Sequence, residues 1–273
     1  MAAHCLATRF CLACAKLLEL AVHMIEMRRR IPVLGQPFDP LTWPEALNRI
    51  EAWAGARESR YVCISNAHSA VTGSQDADFA TVLQGADMVT PDGAPVAWMM
   101  RRLGVPNQQR INGPDLMWRY CERAASTGQS IYLYGGTDRT LELLQQRLRA
   151  TWPALKIAGA VSPPFRALTA EERAAHVAAI NASGAGTVWV SLGCPKQERW
   201  MAEHRGQVQA VMIGVGAAFD YHAGTIQRAP LWMQRSGLEW LHRLVSEPRR
   251  LWRRYLVTNS LFIWGAARQL LRR

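Results

Sequence analysis

Short apolar runs alternate along this chain with stretches whose apolar positions recur at helical spacing. The runs are Tyr61–Ser65, Met88–Thr90, Ser130–Tyr134, Lys156–Val161, Val188–Leu192 and Ala210–Val215. Several are continuously apolar, as strands buried on both faces are. Between them lie helical stretches at about Ala67–Leu83, Ala94–Leu103, Pro114–Ser126, Arg139–Ala150, Ala170–Asn181 and Lys196–His204. This alternation predicts an α/β fold, a mostly parallel sheet flanked by helices.

Ligands of such sheets bind beyond the carboxyl ends of the strands, so the residues just after each run are where chemistry is sought. Asn66 and His68 follow the first run, and Pro91-Asp92-Gly93 follows the second. Gly135-Gly136-Thr137-Asp138 follows the third. Gly193-Cys194-Pro195-Lys196-Gln197-Glu198 and Gly216 with Phe219-Asp220 follow the last two.

From Ala229 the pattern changes. No further strand is indicated, and two helical stretches follow, about Pro230–Ser246 and Pro248–Leu271, with Pro230 and Pro248 at first-turn positions. Charge sharpens this boundary. The chain carries 32 Lys and Arg against 21 Asp and Glu, a net of +11. Ten arginines lie between Arg228 and Arg273, opposed only by Glu239 and Glu247, so most of the excess sits there. Trp232, Trp240, Trp252, Tyr255, Phe262 and Trp264 are interleaved with them. Basic residues mixed with aromatic ones fit a helical appendage lying on an anionic membrane surface. We therefore expect an N-terminal extension over 1–30, a core over 31–228 and an appendage over 229–273.

The 273 residues, 49% of them hydrophobic, suffice for a packed core. Cys5, Cys11, Cys14, Cys63, Cys121 and Cys194 show no disulfide framework and no zinc spacing. No metal site is expected. Residues 10–25 are apolar but carry Lys16 and Glu19, which suits neither a spanning helix nor a signal peptide. Met24 and Met27 precede a more ordinary start, which leaves open whether the residues before them are translated, and a cytoplasmic protein is expected.

Individual residues carry modest signals. Asp92 sits in a Thr-Pro-Asp-Gly turn, where Pro91 and Gly93 fix the backbone. Its carboxylate suits a general base; the plainer reading is an Asx turn. Gly135-Gly136-Thr137 joins strand to helix, where backbone N–H groups suit a phosphate, or where Thr137 or Asp138 merely caps. Arg110 suits a phosphate by its planar fork, with Asn112 as a cap and Asp115 in the first turn. Gln197 suits a sugar hydroxyl or pyrophosphate, against a solvated first turn. Arg243, Arg250 and Arg253 suit a diphosphate, against a solvated basic face.

Together these segments resemble the WecG/TagA/CpsF glycosyltransferase family from about Pro32 to Leu256. The motifs that carry the resemblance are Thr-Pro-Asp-Gly (90–93), Arg-Ile-Asn-Gly-Pro-Asp-Leu (110–116) and Gly-Cys-Pro-Lys-Gln-Glu-Arg-Trp (193–200). Gly-Val-Gly-Ala-Ala-Phe-Asp-Tyr-His-Ala-Gly (214–224) and the stretch from Arg228 through Leu244 into Glu247–Leu251 complete the set. The resemblance implies a Rossmann-like core and a C-terminal appendage that docks on the membrane and helps close the site. It implies inverting transfer of a hexose-type sugar from a UDP-sugar to a polyprenyl-diphosphate-linked saccharide, with no cofactor and no obligatory metal. The family's catalytic aspartate falls on Asp92, its strand-exit asparagine on Asn66, its arginine on Arg110 and its glutamine on Gln197. With Gly135 and Gly136, Asn66, Arg110 and Gln197 are expected to hold the donor. The appendage arginines that grip the lipid diphosphate match Arg243, Arg250 and Arg253. One departure stands out: the family's threonine two residues before Asn66 is Ile64 here, and Ser65 would point to the opposite strand face.

The expected mechanism is a single displacement with Asp92 ionised at an ordinary pKa of about 3.9, on the inner face of the cytoplasmic membrane. Exposed tail aromatics permit a homo-oligomer. An oxidoreductase lacks its G-x-G-x-x-G here. A nucleic-acid-binding protein is disfavoured because the charge sits in a Trp-rich tail without a recognisable binding motif. A basic peripheral membrane protein without catalysis is the remaining rival.

Overall fold

A computed structural model of the protein describes residues 30–272. The N-terminal extension, with Cys5, Cys11, Cys14, Met24 and Met27, lies outside the described residues. From Ile31 onward the chain forms one compact unit.

Its centre is a six-stranded sheet in the order β4-β3-β8-β7-β5-β6, all neighbours parallel. The strands are β3 (Arg60–Ser65), β4 (Met88–Pro91), β5 (Ser130–Gly135), β6 (Lys156–Val161), β7 (Thr187–Ser191) and β8 (Val211–Gly214). All six were expected, to within a residue or two at each end. Alternate strand residues enter opposite cores, as pleating requires. Tyr61, Cys63, Tyr134, Val190 and Met212 pack on one side. Val62, Ile64, Leu133, Trp189 and Ile213 pack on the other. Helices cover both faces, the doubly wound arrangement in which ligands bind at the strand carboxyl ends.

The first face carries α2 (Ala67–Gln75), α3 (Ala77–Gly85), α4 (Ala94–Arg102), α7 (Ala170–Ala182) and α8 (Lys196–Glu203). The second carries α1 (Trp43–Gly55), α5 (Gly113–Thr127), α6 (Asp138–Thr151) and the short α9 (Ala218–Ala223). Ala67–Leu83 is not one helix. Asp76 leaves the helical region and caps α3 by accepting a hydrogen bond from Phe79 N at 2.9 Å, because its short carboxylate competes with the backbone ladder.

Two elements went unassigned in the sequence. A hairpin of β1 (Ile31–Val33) and β2 (Gln36–Phe38) leads to Asp39, which pairs with the free edge of β4. Asp39 N donates to Val89 O at 2.9 Å, and Val89 N donates to Asp39 Oδ2 at 2.6 Å. The exposed strand edge is thereby closed. Helix α1 begins with a capping box between Thr42 and Glu45 and buries Ala46, Leu47, Ile50 and Ala54.

The appendage comprises α10 (Leu231–Arg235), α11 (Glu239–Ser246) and α12 (Pro248–Leu271). The expected single helix Pro230–Ser246 is interrupted at Gly237, whose φ of +73° lies in the left-handed region. Helix α12 packs against α2, and its Phe262 and Ala266 join the core of the first face. Gln269 ties its far end to the hairpin, donating to Pro32 O at 2.6 Å and accepting from Leu34 N at 2.9 Å. Among the described residues no helix is long and apolar enough to cross a membrane.

Candidate active site

The strand carboxyl ends bring Asn66, Asp92, Gly135, Gly136 and Gln197 to one end of the sheet. Asp92 follows β4 directly, and its N–H extends the ladder to Ser65 O at 2.8 Å. Gly93 has a φ of +89° and takes the N-cap place of α4 without a side-chain cap. Asp92 is thus relieved of capping. Its carboxylate accepts no backbone N–H among the described residues, so the Asx-turn reading does not hold. It meets Arg110 instead, with Arg110 Nε at 3.4 Å from Oδ1.

Arg110 is brought there by the segment that precedes α5. Ile111 N donates to Pro91 O at 2.9 Å, and Thr90 Oγ1 donates to Ile111 O at 3.2 Å. Asn112 then caps α5, accepting from Asp115 N at 3.0 Å as the sequence suggested. The other end of Arg110 is occupied: Nη2 donates to Glu239 Oε2 of α11. Glu239 Oε1 lies 3.6 Å from Arg228 Nε. The terminal nitrogens of Arg228 donate to Asp115 at 2.5 Å and Asn112 at 3.3 Å. A chain of alternating charge, Asp92–Arg110–Glu239–Arg228–Asp115, joins the core to the appendage.

Burial pushes the Asp92 pKa up; Arg110 opposes the rise and Glu239 adds to it. The carboxyl is still 24% exposed, so water at that opening limits the rise. The direction is upward from the ordinary aspartate value expected of an untuned carboxylate. Asp115 is depressed: burial would raise it, but the hydrogen bonds from Arg228 and Asn112 outweigh that.

Asn66 caps α2, its Oδ1 accepting from His68 N at 2.9 Å and Ser69 N at 3.3 Å. Its Cβ flanks the Asp92–Gly93 loop, 3.8 Å from where a Cβ on Gly93 would stand. Gln197 is 3% exposed, so the solvated-turn reading fails. Its Oε1 accepts from Gly216 N at 3.1 Å and its Nε2 donates to Glu198 Oε1 at 2.9 Å, joining the exits of β7 and β8. Glu198 is fully buried and its pKa is raised, chiefly by that burial. Gly135 and Gly136 make the close turn between β5 and α6. A Cβ on Gly135 would stand 2.4 Å from Ser191 O, and Gly136 N donates to that same oxygen at 3.1 Å. Thr137 is the N-cap of α6.

Ile64 is buried in the second-face core, while Ser65 Oγ is buried without a hydrogen-bond partner among the described residues. Arg243 lies 5.7 Å over the Tyr221 ring, and its Nη2 is 3.6 Å from Glu247. Arg253 is exposed on α12, one position before a more buried arginine. That neighbour, Arg254, went unassigned in the sequence. Its charge helps depress His68, and its Nε is buried without a partner among the described residues. Of Arg250 the structure gives the helical position alone. Sequence reasoning assigns Glu239 and Arg228 no site role; the available signal is one of only two acids inside an arginine-rich tail.

A groove of about 500 Å³ lies elsewhere, lined by Gln75 at the far end of α2 from Asn66 and by Leu34, Trp264, Arg268 and Arg272. It shares no residue with the strand exits. Cys121 and Cys194 are free thiols.

The doubly wound α/β sheet thus presents a carboxylate, a guanidinium and the buried Gln197 amide at its strand exits, where ligands of such sheets bind. Residues 31–273 match the glycosyl transferase WecG/TagA/CpsF family, and the chain belongs to that family of cell-envelope polysaccharide glycosyltransferases.

Proposed function

We propose that the protein is an inverting glycosyltransferase that moves a hexose-type sugar from a UDP-sugar to a polyprenyl-diphosphate-linked saccharide. The observation that carries this reading is Asp92: a strand-exit carboxylate free of capping, held through one oxygen by Arg110 and a quarter open. In the proposed step an acceptor hydroxyl attacks the anomeric carbon from the face opposite UDP. Its proton passes to Asp92, the new C–O bond forms, and UDP leaves with the electron pair of the broken bond. Arginines near the leaving diphosphate supply charge stabilisation. Asn66 and Gln197 orient the donor, with Gly135 and Gly136 giving it room. Arg243 and Arg250 meet the acceptor diphosphate, with Arg254 in place of the more exposed Arg253.

The acceptor remains in a bilayer, so the site must come to it. Leu231, Trp232, Val245, Trp252, Leu256 and Trp264 are exposed apolar side chains of the appendage. Set among its arginines, they suit the interface of an anionic leaflet, where each basic residue adds about 1 kcal/mol. In this reading the protein lies peripherally on the inner face of the cytoplasmic membrane; the same aromatics also suit a homo-oligomer contact.

A UDP-release screen tests the reading. Purified protein meets a panel of UDP-sugars in EDTA, with and without a short-chain polyprenyl-diphosphate-linked sugar. Acceptor-dependent release from one donor, reduced about 10²–10⁴-fold in Asp92→Asn, is the expected result. Near-normal turnover of a folded Asp92→Asn protein removes the general base.

A further inference from the structure

The contacts of Arg110 are unequal. Its Nη2 makes the closer one, to Glu239, while its Nε reaches Asp92 only at 3.4 Å. An arginine beside a lone carboxylate ordinarily forms a two-pronged pair that occupies both oxygens. Here one oxygen of Asp92 takes the long contact, and the other has no hydrogen-bond partner among the described residues. Glu239 is well placed to cause this. It is 15% exposed, and its second oxygen faces Arg228, which is fixed by Asp115 and Asn112 at the cap of α5.

We propose that Glu239 is a positioning residue: it draws Arg110 away from a full pair with Asp92 and so keeps one oxygen of Asp92 open for the acceptor's proton. The proposal rests on the reading of Asp92 as the base. Because Glu239 belongs to α11, seating of the appendage then sets the state of a residue in the core. The charged groups that act on Asp92 are Arg110 from the segment before α5, Arg228 from the segment before α10, and Glu239 itself. A competing role for Glu239 is that of a staple that only holds α11 down.

Titration of the Asp92 side-chain carbon by ¹³C NMR separates the two roles without substrate. The signal is assigned by its loss in Asp92→Asn. In Glu239→Ala, Arg110 is released to close on Asp92, and the midpoint falls by about 1 pH unit, the low end of what an adjacent opposite charge produces. Arg110→Ala raises the midpoint. In the Arg110→Ala background, Glu239→Ala lowers it by a much smaller amount, because only the direct field of the lost charge remains. Glu239→Gln keeps an oxygen for Arg110 and shifts in the same direction by less; it carries the test if the alanine variant fails to fold. A midpoint that stays or rises, or one that falls equally with and without Arg110, overturns the proposal. That failure is distinct from failure of the base assignment, which the transfer assay of Asp92→Asn reads.

Discussion

Gly237 of the appendage lies against Ala94 at the start of α4, so close that a Cβ on Gly237 would stand 2.8 Å from the Cβ of Ala94. The same glycine has a φ of +73°. Two independent constraints therefore exclude a side chain at the turn that delivers Glu239 to Arg110. Gly237→Ala should cost about 1–2 kcal/mol in backbone strain alone, and the contact with Ala94 adds to it. The strain falls on the seating of α10 and α11, because the sheet lies beneath α4. Transfer activity should drop by more than thermal stability does. Parallel UDP-release and thermal-unfolding measurements check this; equal, small effects on both would show the close approach to be incidental.

Glu198 offers a stability test at the opposite side of the crevice. Its carboxyl is buried, and Oε2 has no hydrogen-bond partner among the described residues. Burial raises its pKa above the ordinary 4.5. A raised acid contributes stability that is complete below the unfolded pKa and is lost as pH rises through the folded one. Glu198→Gln removes that loss and keeps an amide oxygen for Gln197 Nε2. The variant should gain about 1–3 kcal/mol relative to the parent at pH 8, and little or nothing at pH 4. Urea midpoints at the two pH values measure the difference. A variant weakened more at pH 8 than at pH 4 would show that the ionised carboxylate is the stabilising form.

The strands other than β6 were legible because they are buried on both faces and read as unbroken apolar runs; Val188–Leu192 and Ser130–Tyr134 show this. The hairpin Ile31–Phe38 was not, since two three-residue strands containing Pro32 and Pro37 carry no periodicity. Its place depends on Asp39 meeting Val89, a contact fifty residues away in the chain. Helix α1 has a readable start in the capping box of Thr42 and Glu45. In the site, Asp92, Arg110 and Gln197 could be named from their turns and motifs. The groups behind Arg110 could not, because Glu239 reaches Arg110 and Arg228 reaches Asp115 across more than a hundred residues. Helical phase explains the appendage arginines in the same way. Residues 253 and 254 are equivalent in composition, yet the docking of α12 on α2 exposes one and half-buries the other.

That difference of phase predicts different effects. Arg254 is close enough to His68 and Cys194, both at strand exits, for its charge to act on their titration. Arg254→Ala should lower transfer to a soluble short-chain acceptor by roughly 10- to 100-fold, equivalent to one charge-assisted hydrogen bond. Arg253→Ala should leave that assay within about threefold, as exposed charges contribute little, and should weaken binding to vesicles of anionic lipid instead. Steady-state UDP release and vesicle flotation on both variants decide between them. The reverse ordering would mean that α12 turns when the acceptor binds.

Acid should loosen the same helix through His68. Its Nδ1 is 3.3 Å from Thr258 Oγ1, a polar contact between α2 and the buried side of α12. Burial first, and the charge of Arg254 second, lower its pKa from 6.5 to about 4. The neutral ring is thus the native form. A depressed group of this kind contributes stability that is fully present above the unfolded pKa of 6.5 and is lost as pH falls toward about 4. Protonation places a second positive charge beside Arg254 in a site with little water. Unfolding temperature should fall between pH 6.5 and 4, and His68→Gln, which cannot take up that proton, should flatten the fall. Tryptophan fluorescence is a suitable readout, because Trp252 and Trp264 lie on α12. An unchanged pH slope in His68→Gln would assign the acid sensitivity to the carboxylates of the ion-pair chain instead.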